Sequence, residues 1–251
     1  MFMVRNSGTL RCAFFLVSAL VLGTLCSDFA VLAQTDNDSL AASLESARRK
    51  RDPVQLESLK TQLQQRLSQN PNDAAGQYEL SRVQSYLADV AEMRKDKKAA
   101  SSAVDKAMEA VQHSIQLNEK SADAHSLLAD LYGRRISLGG GMFAGPRFGP
   151  KVGEENKRAM ALDDKNPRVW ASSGREYLMK PKAFGGDTSK AIDSFKKSLA
   201  LDPDQDETWV WLAKAYLKQS DKASARDAIH HALQLNPQDP GAQETSKALE
   251  N

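Results

Sequence analysis

Gly139-Gly140-Gly141-Met142-Phe143-Ala144 fits the GxGxxA string that can hold a dinucleotide pyrophosphate. Here the string follows a helical stretch instead of a strand, so the strand–turn–helix that aims backbone N–H groups at phosphate is missing. No GxxxxGK[ST] loop occurs. His230 and His231 are neighbours on a predicted helix, point in different directions and do not share a metal ion. The carboxylate pairs Glu154-Glu155 and Asp163-Asp164 fall at helix ends, where they read as solvated or capping groups. Serines, histidines and acids are present, but none stands in a setting that would activate a nucleophile. The chain is therefore read as non-catalytic, with no cofactor and no metal. Two segments suit a binding chemistry better, 136–151 (ISLGGGMFAGPRFGPK) and 179–190 (MKPKAFGGDTSK). Phe143, Phe148 and Phe184 with Arg134, Arg135, Arg147, Lys151, Lys180 and Lys182 would suit a small anionic or amphiphilic ligand if the fold brings the segments together.

The elements that must do so read as helices throughout. One run sets the pattern: Trp209, Leu212, Ala213 and Tyr216, then Ala225, Ile229, Ala232 and Pro237. The first four form one face of a helix and the next three one face of its partner. Ala213 and Gly174 are small where paired helices approach closely. Related stretches recur upstream, placing Gln77, His125, Trp170 and Trp209 at corresponding positions, 48, 45 and 39 residues apart. Such a unit does not bury its apolar face alone and must stack on copies of itself. Asn166-Pro167 marks a helix start, a capping side chain before a first-turn proline. Pro203 and Pro237 close helices.

The run resembles the tetratricopeptide repeat, a 34-residue helix pair. The resemblance covers about 55–250 and is fullest in the last repeat. It implies an all-α solenoid of antiparallel helix pairs wound as a right-handed superhelix, with repeats at about 74–119, 122–164, 167–203 and 206–239. Pro240 to Asn251 reads as a cap at 240–251. Residues 34–52 read as a flexible leader and first helix, and 53–251 as the repeat domain. Helices over 39–51 and 53–69 are expected to form a hairpin covering the first repeat. Relative to the last repeat, the turns of the first three carry excesses of 14, 11 and 5 residues. In the first, helix formers lengthen both helices by about two turns. In the second and third, the Gly/Pro-rich segments 136–151 and 179–190 read as loops, with Asp187 capping the next helix.

In tetratricopeptide arrays the first helix of each pair lines an inner groove. The resemblance thus places Tyr78, Arg82, Tyr86, Asp130, Arg134, Arg168, Arg175, Met179, Val210, Lys214 and Lys218 there. Six of these are basic and one acidic. The expected occupant is a protein or peptide partner with an acidic or C-terminal segment. The alternative working site is the loop edge, at Phe143, Arg147, Phe148, Lys151, Lys182 and Phe184.

Charge and targeting narrow the setting. The 251 residues carry 34 basic and 32 acidic side chains, a balance that makes no case for a nucleic-acid partner. Arg5 and Arg11, the uncharged stretch Cys12–Ser27, and Val31-Leu32-Ala33 have the layout of a signal peptide cleaved after Ala33. That layout predicts an exported, periplasmic or cell-envelope protein, without a membrane span once cleaved. Both cysteines, Cys12 and Cys26, lie in the segment removed. RRKR (48–51) and MRKDKK (93–98) read as solvated helix faces or ends.

Overall fold

The computed structural model describes residues 39–139 and 141–250. The expected signal peptide at 1–33 lies outside the described residues, as do 34–38 of the leader. The chain divides into two units, Met1–Ser43 and Leu44–Asn251. Of the first, residues 39–43 are helical. In the second, α1 covers 44–50, followed by α2 (Pro53–Gln69), α3 (Ala74–Met93) and α4 (Lys97–Leu117). Next come α5 (Ala122–Gly139), α6 (Gly141–Leu162), α7 (Pro167–Met179) and α8 (Thr188–Leu201). The series ends with α9 (Asp206–Lys218), α10 (Lys222–Leu235) and α11 (Pro240–Glu250). Among the described residues there is no strand, and no helix is long and apolar enough to cross a membrane.

Helices pair as α3–α4, α5–α6, α7–α8 and α9–α10. Each pair then packs on the next through α4–α5, α6–α7 and α8–α9, while α3, α5, α7 and α9 touch in series. Starts are fixed by side-chain caps: Asp52, Asp73, Asp96, Asn166, Asp187 and Asp221 each accept a hydrogen bond from first-turn N–H groups. The core of the last repeats joins Leu212, Ala213, Ala225, Ile229 and Ala232 with Ala191, Phe195 and Leu199. Gly174 belongs to this packing, since a Cβ there would lie 2.5 Å from the Phe195 ring.

Two expectations are corrected. Residues 136–139 and 141–151 are helical and not a loop: α5 runs to Gly139, and α6 spans Gly141–Leu162 with Pro146 and Pro150 inside it. Proline opposes helix in the preceding residue by clashing with its Cβ. Here both preceding residues are glycines, Gly145 and Gly149, and the Cβ part of that clash is absent. The second hairpin, with helices of 18 and 22 residues, therefore matches the first, with 20 and 21. The later hairpins have 13 and 14. Tyr132, Ile136, Leu138, Phe148 and Val152 of the second hairpin pack on Ala88, Val104 and Ala107 of the first, so each long hairpin covers the other's overhang. The third insertion is a turn around a short 3-10 helix, Lys182–Phe184, closed by Gly185 at φ +92°. A Cβ on Gly186 would lie 1.8 Å from the Lys180 carbonyl oxygen.

The second correction concerns the RRKR run, which lies near the start of the second unit. The unit begins at Leu44, where Leu44 and Ala47 are fully buried. Arg48 of the RRKR run is only 5% exposed, not solvated.

Candidate functional site

The first helices of the four hairpins make one wall, and its curvature follows from a single side chain. Arg51, just past α1, places one terminal nitrogen 3.3 Å from Asp89 on α3 and the other 3.7 Å from Glu207 on α9. A flat row of helices about 8–10 Å apart would part α3 from α9 by about 24–30 Å. One guanidinium reaches both only if the wall curls around it. The face lined by α3, α5, α7 and α9 is therefore concave, and the end of α1 lies within it.

The placement of α1 is electrostatic at one end and apolar at the other. Leu44, Ala47, Arg48 and Arg51 stand at i, i+3, i+4 and i+7, one helical face. Arg48 donates to Asp206 at 2.6 Å, to Glu207 at 2.9 Å and to Glu45 at 2.6 Å. Asp206 is 2% exposed, opens α9, and also accepts from Asn236 at 3.0 Å. Asn236 Nδ2 also donates to the Arg49 carbonyl at 3.4 Å. Arg51 donates to Asp239 at 3.0 Å, whose other oxygen caps α11 through Ala242 N–H. Burial alone would raise Glu45, but the hydrogen bonds and charges of Arg48 and Arg49 outweigh it and hold its carboxyl at about 2. Burial likewise opposes ionisation of Glu207, and Arg48, Arg51 and Arg175 more than compensate, keeping it below the usual carboxylate range.

Arg51 adopts φ +51°, with Asp52 N–H bonded to the Ala47 carbonyl and its own N–H to that of Arg48. This pattern ends a helix on a left-handed residue, a place usually given to glycine. Lys95 and Ser220 end α3 and α9 in the same way, and an aspartate follows in all three cases.

The sequence-predicted groove residues are distributed differently from expectation. Arg82 lies between the rings of Tyr78 and Tyr86, 5.9 Å from each centre, and pairs with Glu79 at 2.9 Å. Those tyrosines therefore form a ladder with Arg82 along α3. Arg134 bonds Asp89 at 2.8 Å, Glu92 at 2.7 Å and the Ser85 carbonyl at 3.0 Å. Arg168 faces Asp123 at 3.4 Å, and Arg175 holds Asp130 at 2.5 Å. Lys218 donates to the Leu178 carbonyl at 2.5 Å. Lys214 is exposed over the Trp211 ring at 4.7 Å, and Met179 is exposed at the end of α7. Val210 is turned into the core of α9–α11 and offers no groove anchor. The basic groove read from sequence is thus largely neutralised by its own acids.

Sequence reasoning missed Arg48, Arg51, Asp89, Asp206, Glu207 and Asp239 as one cluster. The signal was the shared helical face of Leu44, Ala47, Arg48 and Arg51. Its acidic partners lie 38 to 188 residues away along the chain and had no local mark.

At the opposite, hairpin-turn side, Arg147, Phe148 and Lys151 line a cleft of about 370 Å³ with Asp105, Gln112, Tyr132 and Arg135. Phe148 stacks on Tyr132 at 5.5 Å, Arg147 covers Phe148 at 5.0 Å, and Lys151 covers Tyr132 at 5.4 Å. Phe143 and Phe184, 83% and 73% exposed, and Lys182 are not among the cleft-lining residues. Among the described residues no group of His, Cys, Asp and Glu is placed to hold a metal ion.

The tetratricopeptide repeat family profile matches residues 185–248. A thermophilic tetratricopeptide repeat protein from Thermus thermophilus superposes with a TM-score of 0.62 at 19% identity, over 84% of this chain and 98% of that one. Residues 185–248 are thus a tetratricopeptide repeat segment, and the chain has the fold of such repeat proteins. Looser structural likenesses include pilF of Pseudomonas aeruginosa (TM-score 0.42, 22% identity, 69% of each chain). They also include YrrB, described as having an unusual peptide-binding site (0.41, 13% identity, 74% of this chain and 97% of that one). Among curated proteins no sequence matches significantly. Tetratricopeptide repeats are generally scaffolds for protein interactions, and the helical repeats here have that architecture.

Proposed function

We propose that this protein is an exported, non-catalytic scaffold that receives a protein or peptide segment on its concave face. The observation that carries the reading is Arg51: one side chain reaches the first and last walls of the face, as a curved groove wide enough to hold a helix end requires. Arg168 and Lys214 are its accessible cations, and Met179 an exposed apolar contact at its rim. Reversing charge at Arg168 and Lys214 together should abolish capture of partners from a cell-envelope fraction while the circular dichroism spectrum stays helical. Undiminished capture by the folded double variant would sink the groove reading. Export is tested by the mass of the purified native protein, which should begin at Gln34.

A second reading rests on the cleft lined by Arg135, Arg147, Phe148 and Lys151. Cations over aromatic faces beside a 370 Å³ space suit a small anionic or amphiphilic ligand. Native mass spectrometry of the purified protein should then show a retained ligand that an Arg147→Ala/Lys151→Ala variant lacks.

A further inference from the structure

The concave face holds the last two turns of α1, and the chemistry of that occupant is informative. Each groove arginine from α3, α5 and α7 already has an acid of its own: Glu79, Asp89 and Glu92, Asp123, or Asp130. What remains for an incoming segment at the α1 end is acidic. Asp206, Glu207 and Asp239 are met by Arg48 and Arg51, and Asp89 is shared between Arg134 and Arg51. Between these arginines and the buried Leu44 and Ala47 there is one helical turn, so the groove reads a short amphipathic helix with Arg-x-x-Arg at its C-terminal end. The fit is imperfect, because Arg51 Nε is buried without a hydrogen-bond partner. Its backbone is also held in the left-handed region. An occupant fixed mainly by buried ion pairs is replaceable by another of the same charge pattern. Such pairs gain little net stability over solvation, yet discriminate strongly against a wrong charge.

We propose that residues 44–51 are an intramolecular stand-in for the partner. The acidic end of the groove, at Asp89, Asp206, Glu207 and Asp239, selects an arginine-bearing amphipathic helix, and α1 must leave before the partner docks there. This rests on the concave face being the working groove. Tethering gives α1 an effective concentration far above that of a free competitor, so the wild-type groove is closed to weak or non-matching segments.

The probe is a labelled synthetic peptide, residues 39–52 of this chain. Full-length protein carrying Arg48→Ala and Arg51→Ala should bind it at least tenfold more tightly than wild type. Adding Glu207→Gln to that variant should remove the gain, as should a peptide with both arginines replaced by glutamate. Equal, weak binding by wild type and a helical, cooperatively melting variant overturns the proposal. If the variant does not fold, hydrogen exchange on wild type decides. Amides of 44–50 should exchange at least tenfold faster than those of the α5–α6 core, and exchange at the core rate makes α1 a fixed part of the fold. Loss of partner capture on reversing Arg168 and Lys214 concerns the groove itself, so the two readings fail separately.

Discussion

At the residue scale, the small and polar residues that dilute the repeat pattern are working parts. The fourth residue of four successive first or capping helices donates to the carbonyl six residues back. His125 Nε2 meets Glu119 O at 3.1 Å, Trp170 Nε1 meets Asp164 O at 2.7 Å, Trp209 Nε1 meets Pro203 O at 2.9 Å, and Gln243 Nε2 meets Pro237 O at 2.9 Å. Aromatic bulk is therefore optional there, and an N–H donor is the common property. Ser114 and Ser198, in place of an apolar small residue, bond the first carbonyls of α3 and α7 at 2.8 and 2.7 Å. A left-handed non-glycine residue costs about 1 kcal/mol. Lys95→Gly should thus raise stability by about that much, a few degrees in thermal melting. Arg51→Gly relieves the same backbone but strands Asp239, which is 3% exposed, and should instead lower stability by about 2 kcal/mol. Equal shifts in the two melts would show that the Arg51 side chain is idle. Gly174→Ala should destabilise by about 1–3 kcal/mol through overlap with Phe195, read by urea unfolding.

At the element scale, the Gly-Pro pairs explain why a loop-like composition folds as helix. Gly145 and Gly149 each precede a proline inside α6, and a Cβ on either would meet no other atom within 4 Å. Space is not their reason; the chain geometry before proline is. Gly133 in α5 is equally open but precedes Arg134. Gly133→Ala should stabilise by about 0.5–1 kcal/mol, the ordinary helix gain. Gly149→Ala should lose that gain and destabilise instead. Chemical denaturation of both variants checks the sign, and stabilisation by both would refute this account of α6. Helix α1 is held differently from the others. Its buried apolar share in the repeat unit is Leu44 and Ala47, worth about 2–4 kcal/mol at the usual burial coefficient. The rest is carried by charges.

At the scale of the whole molecule, stacked hairpins interact with their neighbours and tend to unfold from the ends. Arg48 and Arg51 add contacts between residues 38 to 188 apart in sequence, tying the first hairpin to the last through α1. Those ties depend on ionised carboxylates. Glu45, with a folded value of about 2 against 4.5 unfolded, and Glu207, also lowered, contribute stability that is complete above about pH 4.5. It is lost as pH falls toward 2. The melting temperature should therefore drop across that window, and Arg48→Met should flatten the drop; an identical pH profile in the variant would refute the link. The sequence by itself determined the helical class, the hairpin series and its start signals, because capping, periodicity and small contact residues are local. It also marked the 179–190 turn through Gly185, Gly186 and Asp187. It misread 136–151, where the composition of a loop is overruled by a neighbouring long hairpin whose overhang needs covering. The charge of the groove was legible only as a count of cations. Which acids neutralise them, and that α1 supplies two more arginines from inside, was decided by the curl of the wall. That curl sums small rotations between hairpins, and no single segment of sequence records the sum.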